Sequence, residues 1–106
     1  RRYLIPLSNK LSVLKNYLTY AKRAKEIALA YDPSVKVLVF GSVVRGDYTG
    51  ASDIDLLVIS EKEELRYSIE ASIKEGVPEA PLEVHFATPQ QYRTWYSRFI
   101  DVFVEV

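Results

Sequence analysis

Apolar positions recur at spacings of three and four through the first thirty residues. Leu4, Leu7, Leu11, Leu14, Leu18, Ala21 and Ala28 fall on one side of a helix. It is expected to run from about Ser8, a candidate N-cap, to Tyr31, where Asp32-Pro33 stops it. The period then changes. Val35–Phe40 is a short continuous apolar run, read as a buried strand, and Asp53–Ile59 is a second. Ser42–Gly46 between them reads as a short helix or turn, and Asp47–Ser52 as a polar loop. Ser60-Glu61-Lys62-Glu63 has the spacing of a capping box. It predicts a helix with Leu65, Ile69 and Ile73 on its apolar face and Gly76 at its end. Leu82–Ala87 is a third strand. Thr88-Pro89-Gln90-Gln91 predicts another helix start, with Tyr92, Trp95, Tyr96 and Phe99 on one side. Asp101–Val106 alternates, which fits a short strand or a helix end. The order α-β-α-β-α-β-α implies an α/β (α+β) fold, a small mixed sheet with helices packed on one face.

Two short motifs carry chemistry. Gly41-Ser42 follows the first strand, where a glycine permits a sharp turn and close approach of a ligand to the backbone. Ser42 would open the next helix with its hydroxyl and free N–H groups toward an anion such as phosphate. Ten residues later come Asp53 and Asp55, two apart at the start of the second strand. Residues i and i+2 of a strand share a face, and paired carboxylates attract hard divalent cations. A phosphate cradle beside a carboxylate pair suits metal-assisted phosphoryl or nucleotidyl transfer. On the third strand Leu82, Val84 and Phe86 should face the core, leaving Glu83 and His85 together on the other face. Arg45, three residues after Ser42, is either a fork for triphosphate oxygens or a partner of Asp47. His85, the single histidine, is read first as filling space beside Glu83 and second as a contact for substrate or metal. The aromatic row is read first as core, then as a docking surface.

The pattern Gly41-Ser42, ten residues, Asp53-Ile54-Asp55 resembles the nucleotidyltransferases of the DNA polymerase β superfamily. Arg45-Gly46 and Ser52-Asp53-Ile54-Asp55-Leu56-Leu57-Val58 are similar to its minimal members. The resemblance is strongest over residues 35–60 and extends over 35–99. It implies a polymerase-β-like fold with a catalytic and metal-binding set of Asp53, Asp55 and Glu83. Nucleotide contacts would come from Gly41, Ser42 and Arg45. Glu83 departs from the aspartate commoner at its position. The resemblance further implies two Mg²⁺ ions, ATP as donor and AMP as the transferred group. Short members are similar to the antitoxin halves of modules whose partner is a helical HEPN-domain protein, which implies an acceptor tyrosine on that partner. The alternative is an antitoxin-like binding module that neutralises its partner by contact. A nucleotidyltransferase acting on small molecules is the third reading, disfavoured for want of a second domain.

Size and composition narrow the rest. At 106 residues one domain is expected, with an N-terminal helix over 8–31 and a catalytic core over 35–99. The chain begins Arg1-Arg2 without Met, so a preceding segment is expected. The formal net charge is +0, which gives no global field toward nucleic acid or membrane. Direct nucleic-acid binding is not expected. Seven basic residues from Arg1 to Lys25 precede the first carboxylate, Glu26, and are read as a solvated helix face. No apolar run approaches the ~20 residues of a membrane span. The absence of cysteine excludes disulfides, thiolate ligands and a Cys nucleophile. Cytoplasm is the default compartment.

Overall fold

The computed structural model describes residues 7–106, with the side chains of the first two of these left aside. Arg1, Arg2 and Leu4 lie outside the described residues. The first helical stretch is two helices, α1 (Leu7–Lys15) and α2 (Tyr17–Leu29). Ser8 therefore lies inside α1 and does not cap it. The break is at Asn16, whose side-chain Nδ2 donates to the Ser12 carbonyl at 2.9 Å. An asparagine that bonds a carbonyl one turn back competes with the helical ladder. The buried stripe also differs from the expected one. Leu14, Ala21, Ala24 and Ala28 are fully buried, whereas Leu11 and Leu18 are exposed. Alanines on the inner face let α2 lie close to the sheet.

The sheet has the order β3-β2-β1-β4. It is built from β1 (Lys36–Phe40), β2 (Ile54–Ile59), β3 (Leu82–Ala87) and β4 (Phe103–Glu105). β1 runs antiparallel to both β2 and β4, and β2 runs parallel to β3, so the sheet is mixed. The parallel pair needs a crossover, which α4 (Arg66–Gly76) supplies. The C-terminal alternation is a strand, as one of its two readings had it. β1 and β2 are central and apolar on both faces, which fits their continuous runs.

One face carries Val37, Val39, Ile54, Leu56, Val58 and Phe86, packed with Leu14, the α2 alanines, and Ile69 and Ile73 of α4. Gly76 ends α4 where Ile27 of α2 presses in; a Cβ there would meet the Ile27 Cδ1. The opposite face carries Leu38, Leu57, Ile59 and Ala87, covered by Ile100, Tyr92 and Tyr96. So α1, α2 and α4 lie on one face as expected, while α5 (Pro89–Thr94) and the 3₁₀ turn Tyr96–Arg98 return over the other. Thr88 and Gln91 form the expected capping box at the start of α5. The aromatic row does not form one helical stripe. Tyr92 and Tyr96 pack inward, whereas Trp95 and Phe99 are exposed.

Ser60 does not cap a helix. A 3₁₀ turn, Glu63–Leu65, precedes α4, whose N-cap position is Leu65. The Ser60 hydroxyl instead donates to Asp32 and accepts from the Lys62 N–H at 3.0 Å. Asp32 also accepts from the Ser34 N–H at 2.9 Å. Asp32 and Ser60 are the buried polar residues of the described chain, and each satisfies the other. The Ser60 hydrogen bond holds the Asp32 carboxyl below its ordinary range. Removing Asp32 leaves a buried hydroxyl and a turn N–H without an acceptor. Asp32→Ala should therefore cost about 2 kcal/mol, read from the urea midpoint at unchanged slope. Ser60→Ala should cost less, because Asp32 keeps its bond from Ser34.

Candidate active site

The antiparallel register of β1 and β2 sets Phe40 against Asp55. Directly after Phe40 the chain turns at Gly41 with φ 84°. That value disfavours any side chain, and space forbids one as well, since a Cβ there would collide with the Asp55 carboxylate. The turn opens α3 (Ser42–Arg45), whose Val44 and Arg45 N–H groups both donate to the Gly41 carbonyl at 3.1 Å. Buried Val43 pins this turn of helix to the core. Ser42 is half-buried at its start. Arg45 is exposed at its end, with Nε 3.4 Å from Asp47 Oδ2. An exposed pair of that length contributes little, so the guanidinium remains available to a stronger anion.

Asp53 stands just ahead of β2, exposed, at the end of a loop tied by Thr49 and Ser52. The Thr49 N–H donates to the Ser52 hydroxyl at 2.9 Å and the Ser52 N–H to the Thr49 carbonyl at 3.0 Å. Asp55 is half-buried within β2. The parallel register sets Asp55 beside Glu83 and Leu57 beside His85, so all three polar groups project from one face. One ligand atom from each of Asp55, Glu83 and His85 lies within 4.8 Å of the others. His85 Nε2 is 3.5 Å from Glu83 Oε1 and 3.9 Å from Asp55 Oδ1. The Phe40 ring lies near the imidazole, tilted, with ring centroids 5.6 Å apart.

Burial raises the Asp55 carboxyl to about 6, helped by the charge of Glu83 and a hydrogen bond shared with it. The His85 charge opposes the rise, and Asp53 adds to it. A half-buried carboxylate crowded by like charge is a group short of a cation. Two carboxylates and an imidazole fit a divalent ion. The oxygens suit Mg²⁺, and the imidazole extends the range toward Mn²⁺ and Zn²⁺. Asp53 lies outside this compact group.

A family profile described as a nucleotidyltransferase domain matches residues 21–104, most of the chain. The chain belongs to that nucleotidyltransferase family. Two solved structures agree in fold. One, described as a presumed nucleotidyltransferase, has a TM-score of 0.66 and 28% identity, with 80% of this chain and 95% of that chain covered. The other, a presumed nucleotidyltransferase from Sulfolobus solfataricus, has a TM-score of 0.62 at 21% identity, covering 92% of this chain and 85% of that one. Comparison with curated proteins gives no match. Membership in the nucleotidyltransferase family implies a nucleotide substrate. No helix among the described residues is long and apolar enough to cross a membrane.

His85 lies beside Glu83, as the sequence reading had it, and also within reach of Asp55. The signal was available, because the alternation that puts Glu83 outward puts His85 outward too. Missing was the parallel register that brings both beside Asp55.

The Asp55 carboxyl has a worked consequence. Its proton is bound more tightly in the folded protein than in the unfolded chain. The folded state therefore holds more protons between about pH 4 and pH 6, and stability falls as pH rises through that window. At neutral pH the penalty is on the order of 2 kcal/mol. Asp55→Asn should flatten this slope and raise the urea midpoint at pH 7.5 in EDTA. An equal or lower midpoint would show that Asp55 carries no such penalty.

Proposed function

We propose that this nucleotidyltransferase moves AMP from ATP to an acceptor hydroxyl, and that the acceptor is a tyrosine of a HEPN-class helical protein. The observation that carries the reading is the cluster of Asp55, Glu83 and His85 beside the Gly41-Ser42 turn, on the sheet face opposite α1, α2 and α4. Asp53, Asp55 and Glu83 would hold two Mg²⁺ ions. Bound there, the ions would neutralise triphosphate charge and acidify the attacking hydroxyl.

The residues of the chain divide the remaining work. The Gly41 backbone and Ser42 receive the phosphates beside Asp55, whose carboxylate lies against Gly41 because the glycine has no side chain of its own. Arg45 exchanges its weak contact with Asp47 for the triphosphate oxygens. The acceptor oxygen bonds to the α-phosphorus, the bond to the β-phosphate oxygen breaks, and pyrophosphate leaves. Glu83 takes the acceptor proton as general base. His85 Nε2 lies 3.5 Å from Glu83 Oε1 and would orient that carboxylate toward the acceptor. An acceptor hydroxyl must come within ~3–3.5 Å of the phosphorus.

A contact-only antitoxin is the second reading. What favours it is the long Glu83 side chain, which is exposed and engaged by His85. The two readings part in one experiment. The protein, ATP and Mg²⁺ are incubated with a helical HEPN-class protein, and both chains are weighed by intact mass. Addition of AMP to the partner, lost in Asp53→Asn plus Asp55→Asn and reduced roughly 10²-fold in Glu83→Gln, is the expected result. The double variant should also lose Mg²⁺-dependent ATP binding by calorimetry. A stable complex without mass change would favour the contact-only antitoxin. Transfer that survives the double substitution would place the chemistry elsewhere.

A further inference from the structure

The donor atoms of Asp55, Glu83 and His85 are spaced as ligands of one ion and not as an ion pair. A charged hydrogen bond between imidazole and carboxylate closes to ~2.8 Å. His85 Nε2 instead stands 3.5 Å from Glu83 Oε1 and 3.9 Å from Asp55 Oδ1. One donor atom from each residue still lies within 4.8 Å of the other two. Donors on a four-coordinate ion with bonds of ~2.05 Å lie about 3.3 Å apart. Neighbouring donors on octahedral Mg²⁺ lie closer, about 2.9 Å apart. The spacing around His85 is nearer the first. It is also a property of the strands, since the β2–β3 register pairs Asp55 with Glu83 and Leu57 with His85.

The two oxygens of Asp55 face different surroundings. Oδ2 lies at Gly41, where an added Cβ would strike it, and Oδ1 faces His85. An ion on the Gly41 side would meet oxygen from Asp55. An ion on the β3 side would meet the other oxygen, Glu83 and an imidazole nitrogen. Mg²⁺ is a hard ion that takes oxygen and gives up water reluctantly. Imidazole suits transition ions. We propose that His85 is a metal ligand and makes the β3-side position selective for Mn²⁺ or Zn²⁺ over Mg²⁺, which rests on the reading that this face holds the ions of nucleotidyl transfer. Three protein donors leave further positions to water or a substrate oxygen.

Mn²⁺ is the probe, because its paramagnetic resonance reports binding without any substrate. Titrated into the protein alone, Mn²⁺ should bind. Its electron spin echo should then carry nitrogen modulation from the imidazole, which carboxylates and water cannot give. His85→Leu should lose that modulation and bind Mn²⁺ and Zn²⁺ more weakly by roughly tenfold or more. Its Mg²⁺ affinity, read by calorimetry, should change by less than about twofold. Nitrogen-containing and oxygen-only sites alike prefer Zn²⁺ to Mg²⁺, so selectivity is read as the change between wild type and variant. A wild type that binds no Mn²⁺, or binds it without nitrogen modulation, would overturn the proposal. So would equal losses of Mg²⁺ and Mn²⁺ affinity in His85→Leu. The wild-type signature needs no variant, so it decides the matter should His85→Leu fail to fold. Nitrogen-ligated Mn²⁺ in a protein that transfers no AMP would leave His85 a ligand and sink the transfer reading. Transfer with Mn²⁺ held by oxygen alone would do the reverse.

Discussion

Asp55 is a carboxylate on a strand that is otherwise buried. Ile54, Leu56, Leu57 and Val58 around it are fully inaccessible, and its own side chain is about three-quarters covered. Burial of this kind penalises the charge. The protein keeps it by leaving one side open and by crowding the remainder with groups that cannot be moved. Gly41 lies close because it has no side chain, Phe40 is fixed by register, and Glu83 is fixed by the parallel pairing with β3. The fold thus holds two carboxylates close together on one open end of the sheet, with the Asp55 carboxyl pushed above its ordinary range by burial and by Glu83. The expected cost is stability lost as pH rises through the Asp55 titration.

The parallel pairing of β2 with β3 is the element on which this depends. A slip of one residue would send Glu83 and His85 to the helix-covered face and bring Leu82 and Val84 beside Asp55. Hydrophobic burial prevents that slip. Phe86 is buried, and Leu82 and Val84 pack with it against the core shared with α4. The same alternation that buries three apolar residues therefore aims two polar ones at the site. Packing energy and chemistry are specified by one pattern, and neither could be changed alone.

Much of this could be read from the residues, and the failures have particular causes. β3 and the cap of α5 were legible because local signals and tertiary fate agree there. Ser60 offered an equally clear capping signal, but buried Asp32 competed for its hydroxyl from far along the chain and won. Local pattern holds no trace of that competitor. Asn16 broke a helix whose apolar spacing ran on through it, because one side-chain bond to a carbonyl outweighed the periodicity. The aromatic row failed for another reason. Helical spacing predicts a single stripe, but α5 ends at Thr94, and the 3₁₀ turn after it rotates Trp95 and Phe99 outward. In the site, Gly41, Ser42, Asp53 and Asp55 were visible as a motif. The association of His85 with Asp55 depends on strand pairing, which no single-strand pattern contains.

The distribution of cover over the two faces has a mechanical consequence. Three helices bury one face wholly, so the core is complete without the other. The second face needs only enough cover to shield Leu38, Leu57 and Ile59, and the return through Tyr96 and Ile100 supplies it at one end. The other end, where β1 finishes and β2 begins, stays open because its side chains are polar and prefer water. An acceptor must therefore bring its own binding surface to the open end. Nothing in the described residues encloses a hydroxyl there, and the carboxylates offer it charge and no shape. Selectivity for one acceptor must come from surfaces beside the site.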